Sequence, residues 1–91
     1  MAMVVRKGDP DAGTIFVKTR RPDGAAALYG PTPETDEGIR RWRMLMAEAE
    51  GAEPAVDTRL AREIEFDPDL WVIEIEDREG RHFLGDFLDR A

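Results

Sequence analysis

The run from Phe66 to Leu84 leaves this chain few folding choices. Asp67-Pro68-Asp69 ends any helix before it, because the residue preceding a proline avoids the α region. Trp71 to Asp77 then alternates, with Trp71, Ile73 and Ile75 on one face and Val72, Glu74 and Glu76 on the other. That period of two belongs to a strand. Arg78-Glu79-Gly80-Arg81 reads as a glycine turn, and His82-Phe83-Leu84 as a strand returning from it.

Five more elements follow from the same reasoning. Met3 to Arg6 reads as a short strand, and Gly8-Asp9-Pro10-Asp11-Ala12-Gly13 as a turn-rich connection. Thr14 to Arg20 is β-branched, with Ile15 and Val17 on one face and Phe16 and Lys18 on the other. Arg21-Pro22-Asp23-Gly24 supplies turn chemistry, so Ala25 to Tyr29 pairs back as the next strand. The prolines of Gly30-Pro31-Thr32-Pro33 are expected to stop it, since neither can donate to a ladder. Ile39 to Met46 fits two periods. As a strand it sets Trp42, Met44 and Met46 against Arg41 and Arg43; as a helix it aligns Ile39, Trp42 and Met46. The strand is preferred. Ala47 to Glu53 reads as a connection. Pro54 suits a first helical position, and Val56, Leu60 and Ile64 recur every four residues as one apolar stripe. The tail from Gly85 to Ala91 reads as a last helical turn or a frayed end. The chain is thus expected to be one small α+β domain over residues 1–91. Its antiparallel sheet of about five strands would carry one main helix, about 55–66, packed on one face. Phe66, Leu70, Trp71 and Phe83 read as core.

Composition removes whole classes of chemistry. The chain has no Cys, Ser, Asn or Gln, and its single imidazole is His82. Disulfides, thiolate zinc sites and Ser or Cys nucleophiles with a His base are ruled out for want of the residues. No apolar run approaches the roughly twenty residues that span a bilayer, and no signal-peptide pattern is present. A soluble cytoplasmic protein with no membrane partner is expected. The formal charge is −7. It is lopsided, since the basic side chains gather before Ala47 and the acidic ones after it. An acidic total argues against duplex DNA, and a dipolar surface can pair with a copy of itself.

The blocks Val4-Val-Arg-Lys-Gly-Asp-Pro-Asp-Ala-Gly13, Phe16-Val-Lys18, Ala27-Leu-Tyr-Gly-Pro31 and Phe66 to Leu84 resemble a small bacterial family, domain of unknown function 1491. The resemblance covers most of the chain and implies the α+β fold and a bacterial cytoplasmic protein. It implies no activity, cofactor or catalytic residue. Members of that family usually carry an amphipathic segment before the valine-rich strand, whereas this chain opens on Met1-Ala-Met-Val. An uncovered apolar surface and a homodimer are the expected consequence.

Each candidate motif has a plain structural reading beside it. Asp-Pro-Asp occurs at Asp9–Asp11 and Asp67–Asp69. Four carboxylates on two loops could hold Mg²⁺ or Ca²⁺, but Asp before proline is also ordinary turn chemistry. Asp67, Asp69, Glu76 and His82 together make the hydrolase alternative, a metal-dependent site. It lacks the lysine that a metal nuclease places two residues after its acidic ligand, where Glu76 stands instead. His82 alone is more often structural. Arg40, Arg41 and Arg43 around Trp42, with Lys18, Arg20 and Arg21, could take phosphate or single-stranded RNA, or could simply pair the chain's own acids. The surface residues favoured for binding are Tyr29, Arg41, Trp42, Asp69 and His82. The leading expectation is a non-catalytic module, without cofactor or metal, that binds another protein or a small ligand.

Overall fold

Alternating, β-branched sequence makes strands, and among the described residues it makes five of them with one helix between the fourth and the fifth. The computed structural model describes residues 1–11, 13–32, 41–85 and 88. Ile39, Arg40 and nearly all of the tail beyond Gly85 lie outside the described residues. The elements are β1 (Ala2–Arg6), β2 (Ile15–Arg20), β3 (Ala26–Pro31), β4 (Trp42–Ala49), α1 (Glu53–Phe66) and β5 (Trp71–Glu76).

The sheet order is β1-β5-β2-β3-β4. The β2–β3 and β3–β4 pairs are antiparallel, as the turns require. The β2–β5 pair is parallel, with Val17 opposite Ile73, so the sheet is mixed rather than purely antiparallel. The cause is α1. It lifts the chain off the β4 edge, crosses one face of the sheet and returns it to the slot between β1 and β2. A parallel neighbour needs such a crossover, which is usually helical. With both sides of β5 occupied, no edge remains for a return strand. Residues 82–84 therefore leave the sheet, and Phe83 takes a φ of 59°, which no strand residue adopts.

Two other expectations change in detail. Pro31 belongs to β3. Thr32 donates to the Arg41 carbonyl, so the next pair, Pro31 with Trp42, sits where antiparallel partners exchange no hydrogen bonds. The missing N–H costs the ladder nothing. The ambiguous segment is a strand, but it runs on to Ala49. Register shifts beside Leu28 break its alternation, so Leu45 and Met46 both pack on the helix face while Trp42 packs on the other.

There are two cores, one on each face. The helix stripe Val56, Leu60 and Ile64 meets Phe16, Leu28, Leu70 and Val72. On the opposite face Val17, Ala27, Tyr29 and Ile75 are buried, with Trp42, Leu84 and Leu88 packed against them. The single shared interior implied by one helix is thus divided by the sheet. Two residues read as core are exposed. Phe66 is 88% exposed, because it lies about 200° around the helix from Ile64. Phe83 is 65% exposed, turned outward by its positive φ.

Candidate functional site

The densest polar cluster lies under the first turns of α1. Lys18 sits on the helix face of β2, between Val17 and Thr19, and only 5% of it is exposed. Its ammonium donates to Asp57 at 2.7 Å and Glu53 at 2.9 Å, and pairs with Glu74 at 3.2 Å. The three carboxylates match the three N–H bonds of an ammonium, so nothing is left over for a ligand. Arg20 extends the network, pairing Glu53 at 3.0 Å and Glu76 at 3.1 Å. Burial pulls the Lys18 pKa down, but its hydrogen bonds to Asp57, Glu53 and Glu74 outweigh it and hold it above its ordinary value. The bond from Lys18, against some desolvation, holds the Glu53 carboxyl below its usual range. This cluster fastens the helix to the sheet with charge where the apolar stripe gives out. Sequence reading placed Lys18 only in a cationic patch. The missed signal was Glu53 and Asp57, four residues apart and beside the stripe of Val56 and Leu60.

The two Asp-Pro-Asp loops do meet, but through backbone. The Asp9 N–H donates to the Asp69 carbonyl at 2.8 Å, and the Trp71 indole N–H donates to the Asp9 carbonyl at 2.9 Å. Each leading aspartate turns its own loop, Asp9 accepting from the Asp11 N–H at 2.8 Å and Asp67 from the Asp69 N–H at 3.1 Å. This is the turn chemistry weighed against a cation. Asp67 and Asp69 precede β5 while Glu76 ends it, so about six residues of extended strand, roughly 20 Å, divide them. His82 lies beyond the following turn. The four residues of the hydrolase alternative therefore form no common site. Among the described residues no three Asp, Glu or His side chains gather as a metal-holding group.

The favoured binding residues divide. Tyr29 and His82 come together, ring centroids 5.1 Å apart and edge to face at 61°. Tyr29 is buried, which pushes its phenol up from its ordinary value. The His82 Nδ1 accepts from the Leu84 N–H at 2.9 Å and so shapes the turn that seats Leu84 on the second core. Trp42 packs against that core too, and its indole N–H donates to the Ile15 carbonyl at 2.9 Å. These three residues are structural pegs of the second face. Arg41 is half-buried at the start of β4, and Asp69 stands apart in the loop before β5. The cationic patch is spoken for in part, since Lys18, Arg20 and Arg21 all pair with the chain's own acids, Arg21 with Glu48 at 3.0 Å. Arg40 lies outside the described residues.

After β5 the chain is pinned tightly. Arg81 grips Asp77 with Nη2 on Oδ1 at 2.9 Å and Nε on Oδ2 at 3.0 Å, while the backbone N–H groups of Glu79 and Arg81 also reach Oδ2. The Arg81 contacts, then these backbone bonds, hold the Asp77 carboxyl far below its usual range.

Among the described residues the least covered part of the sheet is its rim. At the β1 edge Met1, Met3, Val4 and Val5 are 83%, 49%, 53% and 50% exposed. At the β4 edge a shallow groove lies between strand and helix, lined by Met46, Ala55, Thr58, Arg59 and Arg62.

The comparisons agree with this architecture. The family model described as protein of unknown function (DUF1491) matches residues 1–85. This chain belongs to that family. The crystal structure of a DUF1491 family protein from Caulobacter crescentus CB15 is similar at 40% identity, over 97% of this chain and 80% of that one, with a TM-score of 0.78. The NMR structure of a DUF1491 family protein from the same organism gives 39% identity, 97% and 78% coverage and a TM-score of 0.77. The solution structure of protein Atu0922 from A. tumefaciens is 43% identical over 84% of this chain and 69% of that one, with a TM-score of 0.71. No curated protein matches. No helix among the described residues is long and apolar enough to cross a membrane.

Proposed function

We propose that this protein is a non-catalytic interaction module that pairs with a second copy of itself through β1. The observation that carries the reading is the outer edge of β1, along which no described residue pairs. Met1 and Glu76 exchange both backbone hydrogen bonds at 2.7 Å, so by antiparallel alternation Ala2 and Val4 turn their N–H and C=O groups away from β5. That row of unused groups is a template for another strand, and no charged side chain between Met1 and Val5 guards it. A two-fold axis at Met3 sets Ala2 of one copy opposite Val4 of the other and joins two five-stranded sheets. The exposed Met3 and Val4 side chains are covered in the same step.

The cysteine-free composition and the bacterial sources of the similar structures support a place in the bacterial cytoplasm. Light scattering coupled to gel filtration, over a wide concentration range, tests the association. The wild type is expected to approach twice its monomer mass, and Val4→Lys, which puts a charge on the shared edge, to stay monomeric. A wild type that remains monomeric at every concentration refutes the reading.

A further inference from the structure

We infer that the groove between α1 and the β4 edge is a docking site for an extended, carboxylate-bearing peptide segment, which adds to the sheet alongside β4. The argument starts from α1, which runs back along β4 from the turn after Ala49. Ala55, Thr58, Arg59 and Arg62 recur at spacings of three and four, so they form one flank of the helix, next to the core stripe. That flank and Met46 enclose the groove. Arg43 pairs with Gly30, whose missing Cβ would point toward Phe16 of the helix-side core, so Arg43 also stands on the helix face. Two guanidiniums, Arg59 and Arg62, therefore line the groove, and Arg43 stands on the same face of the sheet. Arg59 is held by Glu63 at 2.9 Å, whereas Arg43 and Arg62 are exposed.

The backbone says what form the partner takes. Met44 is opposite Tyr29, two residues on from Trp42, and like Trp42 it turns its N–H and C=O outward from β3. At Trp42 this edge already receives one residue in a parallel bridge, Leu88. Among the described residues nothing pairs with it beyond that point, and Met44 is 51% exposed. The edge thus accepts extended backbone at Trp42, and no described residue pairs with the outward groups of Met44 beside the arginines. A strand lying there turns alternate side chains into the groove, where carboxylates meet Arg43, Arg59 and Arg62 and an apolar side chain meets Met46. Guanidinium forks match carboxylates in geometry as well as in charge. The site is on the opposite edge from β1 and does not depend on self-association.

The test is an NMR titration of ¹⁵N-labelled full chain with a capped heptapeptide of alternating glutamate and valine. A second peptide carries glutamine in place of glutamate, and inorganic phosphate is titrated separately. Saturable shifts are expected along Met44 to Met46 and at Arg59 and Arg62. Arg43→Glu with Arg62→Glu, both at exposed positions, should weaken binding at least about tenfold. The glutamine peptide should lose a similar factor, and Val4→Lys should change nothing. No saturable shift, shifts confined to β1, equal binding of the glutamine peptide, or the same shifts from phosphate alone would each overturn the proposal.

Discussion

Replacing Lys18 by methionine isolates the work done by the buried ion cluster. Removing one partner of a buried pair costs about 3–5 kcal/mol, mainly because the other charge is stranded. Here that figure must be reduced. Asp57 is 57% exposed and can turn to water, and Glu53 keeps Arg20 at 3.0 Å. Glu74, at 19% exposure, is the carboxylate left badly solvated when the ammonium goes. The net loss for Lys18→Met is therefore about 2–3 kcal/mol. In a domain of this size each kcal/mol moves Tm by about 4–8 °C, so a fall of about 8–24 °C is expected. Adding Glu74→Leu removes the stranded charge and fills the space with hydrocarbon. The double variant should recover to within about 1 kcal/mol of the wild type. Asp57→Asn alone should cost no more than about 1 kcal/mol, as exposed pairs do. Differential scanning calorimetry with urea unfolding measures all four proteins. If Lys18→Met melts with the wild type, or Glu74→Leu deepens its loss, the cluster does not hold the helix to the sheet as described.

The same cluster sets the pH range of stability. The Glu53 pKa is lowered from 4.5, so its contribution is whole above that value and is lost as pH falls through the lowered one; the Lys18 pKa is raised from 10.5, so its contribution is whole below that value and is lost as pH climbs past the raised one. Urea midpoints should form a plateau between the two and decline outside it. Gly8→Ala should destabilise by about 2 kcal/mol or more, since a Cβ there collides with the Asp69 backbone carbonyl; refolding yield and Tm report it. Gly24→Ala meets no atom but must keep a φ of +90°, so about 1 kcal/mol is expected from the same measurement. Leu28→Ala, at a fully buried site, should cost about 2–5 kcal/mol by chemical denaturation, against under about 0.5 for Phe66→Ala.

The strands and the helix were legible because their periods are local. Val56, Leu60 and Ile64 announce a helix wherever it docks, and Trp71 to Glu76 announces a strand whatever its neighbours. The neighbours were not legible. Nothing in the alternation of β5 says that it enters between β1 and β2, and that one fact turns His82 to Leu84 from a strand into a covering segment. It also supplies the carboxylate of Glu74 to Lys18, so the polar cluster was hidden together with the topology. The hydrophobicity of Phe66 and Phe83 points to a core but carries no direction; a helical angle exposes one and a left-handed backbone the other. The Asp-Pro-Asp loops were weighed correctly as turns, although their meeting through Asp9 and Asp69 depends on β5 lying beside both β1 and β2.

The strand that completes the middle of the sheet is made last. While a ribosome is still short of Glu76, β2, β3 and β4 can fold as a meander, but β1 has nothing to hold on to and the inner flank of β2 stays bare. The sheet therefore closes only after Glu76 has been made. A nascent chain stalled just before the final strand offers the cell a bare flank of β2 and an unpaired β1, which makes it a natural client for chaperones and proteases.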